Sequence, residues 1–223
     1  MADAASSPLS KQEVVSALDQ IPTFNVVTVA ANRIVGLPDG SGGDGQCVKF
    51  FIDPDEAGSA LVLAQHLQPD LPLRLAVTPL GTAFALVEKW AETPSKLPLR
   101  LVASSSVVAG VAEDMGATPD GFTDVPVFAC DALMNHRVMP LFLSRADLAA
   151  TWVAAGRPAE ALPTDVTVTV LRKIVHLMLS DTTTNWRGAM FIAGARAIEK
   201  AQAIQEAEAN APQDARDEPP PLK

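Results

Sequence analysis

The chain has 223 residues, 48% of them apolar, with 17 Lys and Arg against 26 Asp and Glu for a net charge of −9. That length and apolar content allow one large domain or two small ones with a sizeable core. The acidic balance argues against nucleic acid or an anionic membrane surface as partner and suits partners that carry positive charge. Tyr is absent and aromatics are 5%, which weighs against stacking sites for sugars or bases.

No run reaches the ~20 apolar residues of a membrane span. The longest candidate, residues 102–111, is interrupted by three serines and a glycine. The first twenty residues contain Asp3, Glu13 and Asp19 and no apolar stretch, so they read as neither a signal nor a transit peptide. Either the protein stays where it is made or a targeting segment has been removed. The acidic start after Met1 fits the second reading.

In chain order, residues 1–10 are small and polar and are expected to be disordered. Ser10 and Glu13 form a capping-box pair for a helix that runs to Leu18. Ile21-Pro22-Thr23-Phe24 and then Val26 to Val29 read as a strand, and 47–52 as its partner. The Gly-rich segment 36–46 separates them. Asp53 caps the next helix, with Pro54 at its first position, acids in its first turn, and Ala57, Ala60, Leu61 and Ala64 on one face. A strand over 73–77, a helix over 80–90, a loop over 93–98, a strand over 99–103 and a helix over 105–115 follow. Thr118-Pro119-Asp120-Gly121 reads as a turn.

The same order then returns. Val125-Pro126-Val127-Phe128 repeats Ile21-Pro22-Thr23-Phe24. A polar step at Asn135-His136-Arg137 leads to an apolar run over 138–143. Ser144 with Asp147 starts a helix on which Leu148 and Trp152 share a face. Residues 156–163 are a loop. Strands over 166–170 and 189–193 match 73–77 and 99–103, and helices over 171–179 and 195–206 match 80–90 and 105–115. Several matching segments in one order point to an internal duplication. The expected fold is α/β, with two β-β-α-β-α-β-α halves forming a layered sandwich with pseudo-twofold symmetry. The first two strands of each half should be antiparallel. The expected boundaries are 1–10 for a disordered N-terminus, 11–117 and 118–206 for the halves, and 207–223 for a disordered, acidic, Pro-rich tail.

Candidate sites are few. The Gly-rich segment joins two strands, lacks the Lys-Ser/Thr of a phosphate loop and the closing Glu of a calcium loop, and reads as a hairpin insertion. His66, His136 and His176 lie at no metal-ligand spacing. His66 ends a helix, His136 lies in a turn, and His176 reads as a core histidine. Ser104 to Ser106 lack a GxSxG context and read as a helix cap. Cys47 and Cys130 form no CxxC and read as buried thiols, with a disulfide as the other reading. No nucleophile, base and orienting group assemble, so no catalytic residue, cofactor or metal is expected. Phe24, Phe51, Phe128 and Phe142 occupy matching positions in the halves. Read as inward residues they are core; read as the edge of a groove they form an apolar surface for extended peptides.

Phe122-Thr123-Asp124-Val125-Pro126-Val127-Phe128, followed by Met139-Pro140-Leu141-Phe142-Leu143-Ser144-Arg145-Ala146-Asp147-Leu148, resembles the hallmark segment of the Tic-twenty-two family of the chloroplast import machinery. Ile21-Pro22-Thr23-Phe24, Phe50-Phe51 and Leu99-Arg100-Leu101-Val102 extend the resemblance over roughly residues 12–206. Thr123-Asp124 stands where the family carries a glycine, and the connection after Phe128 is short, which points to a divergent, algal-type member. The resemblance implies a non-enzymatic, chaperone-like protein of the plastid envelope intermembrane space, or of the periplasm in cyanobacterial relatives. It would take precursor proteins from the outer translocon to the inner one, with translocon subunits as partners and at most peripheral membrane contact. A duplicated SseB-like regulatory domain in the cytoplasm is the alternative.

Overall fold

The first ordered turn is made by the Ser10–Glu13 capping box. The Glu13 amide donates to Ser10 Oγ at 3.2 Å and the Ser10 amide donates to Glu13 Oε2 at 2.8 Å. These bonds hold the Glu13 carboxyl below the usual carboxylate range. They start α1 (Lys11–Leu18), followed by β1 (Pro22–Thr28), β2 (Leu37–Pro38), β3 (Gln46–Phe51), α2 (Pro54–Leu67), β4 (Leu73–Pro79), α3 (Leu80–Val87), β5 (Leu99–Val102) and α4 (Ser105–Val111). The second half gives β6 (Pro126–Ala129), β7 (Met139–Phe142), α5 (Arg145–Ala154), β8 (Thr167–Val170), α6 (Leu171–Ser180), β9 (Ala189–Ile192) and α7 (Ala195–Ala209). This computed structural model describes residues 7–40, 45–93, 95–112, 115–116, 118, 122–135 and 137–210. The turn expected at 119–121, His136, most of the Gly-rich tip and the segments 1–6 and 211–223 lie outside the described residues.

The chain forms a mixed α/β structure with two sheets. In the first, the strands run β4-β1-β3-β5, and β2 is added to the start of β3. In the second they run β8-β6-β7-β9. The senses agree strand for strand. β1 is antiparallel to β3 and β4, and β3 is parallel to β5. β6 is antiparallel to β7 and β8, and β7 is parallel to β9. Phe24 stands opposite Phe51 as Phe128 stands opposite Phe142. The Leu80 amide donates to the Ile21 carbonyl and the Leu171 amide to the Val125 carbonyl, both at 2.8 Å.

Each sheet buries both faces. On one face of the first sheet, Phe24, Val26 and Phe51 pack under Ala57 and Ala64 of α2 and Ala201 of α7. On the corresponding face of the second, Phe128 and Phe142 pack under Leu148 and Trp152 of α5 and Val111 of α4. α7, which follows the second sheet in the chain, thus covers the first sheet, and α4, which follows the first, covers the second. Between the sheets, Val14 and Leu18 of α1, Leu80 and Phe84 of α3, and Leu171, Ile174, Val175 and Met178 of α6 share a core with Val127, Leu141 and Phe191. Phe50 and Val48 face Ala83 of α3 on the inner side of the first sheet.

Several expectations shift. Leu9 is buried and its amide donates to the Met178 carbonyl at 2.7 Å, so the ordered chain begins before residue 11. The helix expected over 80–90 stops at Val87, and Lys89 follows it with a left-handed φ of 58°. The helix expected over 105–115 stops at Val111, and the last helix runs on to Ala209 rather than 206. His176 is exposed on α6, whose inward face is Leu171, Ile174, Val175 and Met178. Cys47 and Cys130 do not shift: they are free, buried thiols as read from the sequence, and burial pushes the Cys47 thiol up.

Gly81 lets α3 pass against the end of α1. A Cβ there would run into the Val15 carbonyl oxygen and the Asp19 carboxylate, which accepts from the Thr82 amide at 3.1 Å. Backbone cannot give way cheaply, so Gly81→Ala should destabilise the chain by about 1–3 kcal/mol. Urea unfolding checks this as a lower midpoint at unchanged slope.

Candidate binding cleft

Four helices start around one depression. α2 opens at Asp53, which accepts the Asp55 amide at 2.8 Å and the Glu56 amide at 3.2 Å. α4 opens at Ser104, whose hydroxyl donates to Asp53 Oδ2 at 3.1 Å instead of capping its own helix. That hydroxyl has one proton, so Ser106, 2.9 Å away, donates to Ser104 Oγ. The Ser105 amide donates to Glu56 Oε1 at 2.6 Å. α5 opens at Ser144, which accepts the Asp147 amide at 3.0 Å and donates back to Asp147 Oδ2 at 2.6 Å. α7 opens at Gly194, where a Cβ would come within 2.9 Å of Asp147 Oδ1. Small residues at this point let α7 start beside α5. Asp55 and Arg196 form an ion pair between α2 and α7.

These starts enclose a cleft of about 600 Å³. Ile21, Ile52, Val107, Val111, Phe128, Leu143 and Ala193 supply its apolar lining. Asp53, Asp55 and Asp147 line it against Arg145 and Arg196, so carboxylates outnumber guanidinium groups. Ala150 and Gly110 line it as exposed residues, so both are open to a ligand. Such a site can hold an apolar segment with basic neighbours. Among the described residues it brings no histidine or thiol together with a carboxylate: His66, His176, Cys47 and Cys130 are not among its lining residues. No group of three or more His, Cys, Asp or Glu among the described residues could hold a metal ion.

The four phenylalanines do not form a surface. Phe24 and Phe142 are fully buried, and Phe51 is 6% exposed beneath α2 and α7. Phe128 is 1% exposed and reaches the cleft only as part of its floor. The peptide-surface reading of these residues is therefore corrected: their faces are covered by helices. The cleft itself is built from residues around the helix starts. Ser144 and Asp53 were legible as caps, but their convergence was not, because caps report where a helix begins and nothing about its neighbours.

A model of the Tic22-like family matches residues 1–206. The chain belongs to the Tic22-like family. Its fold is similar to that of Anabaena Tic22, a protein of protein transport, with a TM-score of 0.61 and 18% identity over 95% of this chain and 100% of that one. Tic22 from Plasmodium falciparum is similar with a TM-score of 0.64 and 16% identity over 87% of this chain and 98% of that one. No curated protein sequence matches this chain. Among the described residues of this Tic22-like chain, no helix is long and apolar enough to cross a membrane.

Asp53 serves two helices at once, capping α2 and holding Ser104 of α4. Asp53→Ala should cost about 1–2 kcal/mol through the lost cap. Asp53→Asn should retain most of it. Thermal unfolding of the two variants checks the order.

Proposed function

We propose that this Tic22-like chain acts without catalysis in protein import into plastids, binding precursor proteins and passing them from the outer to the inner translocon in the envelope intermembrane space. The observation that carries this reading is the apolar-floored, acid-rimmed cleft in a member of this family. An unfolded segment offers apolar side chains, which the floor would remove from water. Basic residues along such a segment meet the excess carboxylates at the rim, and the net charge of −9 draws them in from a distance. Translocon subunits are the partners that this role requires.

The halves, taken as 11–117 and 118–206, fit one duplicated module with pseudo-twofold symmetry. Support comes from the shared strand order, the shared strand senses and the two opposed phenylalanine pairs. Asp53 with Ser104 and Ser144 with Gly194 then stand as corresponding helix starts on either side of the cleft.

Ala150 is exposed on α5 at the cleft, so a large side chain there obstructs the site without entering a core. Ala150→Arg should weaken binding of a fluorescently labelled, basic precursor segment by about tenfold, roughly 1.4 kcal/mol. Fluorescence anisotropy measures it. Undiminished affinity in a folded Ala150→Arg protein would remove the cleft from the binding reaction.

A further inference from the structure

Among the described residues the first sheet ends on one side at β5, which pairs with β3 alone. The Val48 amide donates to the Pro98 carbonyl at 2.8 Å and the Ile52 amide to the Val102 carbonyl at 2.9 Å. Even-numbered positions of β5 thus face β3, and the backbone groups of Leu99 and Leu101 point to the open side. A cleft of about 470 Å³ runs along that side, with Phe122 and Val108 among its lining residues. Both edge strands have a helix packed against them, α3 against β5 and α1 against β9.

Lys49 and Arg100 are register partners on adjacent strands and both line this cleft. Like charges placed side by side on a sheet repel. Among the described residues neither forms an ion pair, although Arg100 donates to the Asp39 main-chain carbonyl at 3.5 Å. The other charged lining groups are Asp39, Asp124 and Arg172. Arg172 is paired with Glu88 at 2.7 Å and Asp124 at 3.7 Å, so it is already neutralised. The lining thus sets three cations, Lys49, Arg100 and Arg172, against two carboxylates, Asp39 and Asp124, a local excess of positive charge in a chain of net charge −9.

We propose that the open edge of β5 accepts an extended, acidic segment of a partner polypeptide as an added strand. The partner's backbone pairs with Leu99 and Leu101, and a carboxylate on the Arg100 face meets Arg100, with Lys49 one strand farther in adding to the positive charge. An extended chain fits because only a strand offers donors and acceptors at the spacing that an edge presents. This surface shares no lining residue with the cleft at the helix starts, although α4 borders both, and takes segments of opposite charge, so it does not rest on the function proposed above.

The test uses the full chain with two probes, a short peptide alternating valine and glutamate and one alternating valine and lysine. Amide hydrogen exchange and peptide titration are read together. The glutamate peptide should bind at least tenfold more tightly than the lysine peptide and should slow exchange at Leu101 at least tenfold. The double variant Lys49→Glu and Arg100→Glu should reverse the preference. Lys49→Gln with Arg100→Gln should abolish it, which guards against a charge-reversed protein that fails to fold. Equal binding of both peptides, protection that falls outside β5, or a preference unchanged in the variants would overturn the proposal. Protection of Leu101 that rises with protein concentration alone would assign the edge to a second copy and overturn it equally.

Discussion

The structure depends on an exchange of helices. α7 closes over the sheet of the first half, and α4 closes over the sheet of the second. Without α7, Phe24 and Val26 would lose part of their cover; without α4, so would Phe128. Apolar burial at roughly 25 cal/mol per Å² makes such loss expensive, so neither half is expected to be stable alone. Ion pairs do not replace this. Arg74–Glu208, Arg172–Glu88, Arg187–Glu13 and Arg196–Asp55 all link a residue before 118 to one after it, but each is solvent-exposed in part. Pairs of that kind contribute about 0–1 kcal/mol each. They set the register between halves that packing has already joined.

The same exchange makes the cleft. A helix that must leave its own sheet starts where the halves meet, so the starts of α4 and α7 come to lie beside those of α2 and α5. The capping groups there are shared: Asp53 serves α2 and Ser104, and Asp147 serves Ser144 and crowds Gly194. Helix starts ringed with carboxylates over an apolar floor follow from the architecture. The proposed function uses what that junction provides.

Much of the layout was legible in the sequence, for physical reasons that can be named. The Pro-x-Phe segments at 22–24 and 126–128 marked strands because the period of two fixes which residues share a face. Ser10 with Glu13 and Asp53 with Pro54 located helix starts because short oxygen-bearing side chains accept from free amides there and proline at the first position has no amide to satisfy. The four phenylalanines were ambiguous because strand alternation says which face a residue is on and not what covers that face. The covering helices carry little signal of their destination: α7 meets its sheet through Ala197, Ala201 and Ile204, a narrow stripe with no preference for either sheet. His176 is exposed, and the spacing of its neighbours already says so. Leu171, Ile174, Val175 and Met178 define one face of α6, and position 176 lies off it.

The two halves contain separate fluorescent reporters, Trp90 in the first and Trp152 and Trp186 in the second. Trp90 packs edge-on to Phe84 at 5.4 Å between ring centroids, and Trp152 is a buried residue of α5 in the core on the second sheet. Urea unfolding of one protein that retains only Trp90 and another that retains only Trp152 reads each half alone. Exchanged helices predict that each protein's fluorescence transition coincides with its own loss of helical circular dichroism, as one cooperative event. A fluorescence change in either protein that is complete before most helix is lost would show halves that unfold independently and would contradict the account.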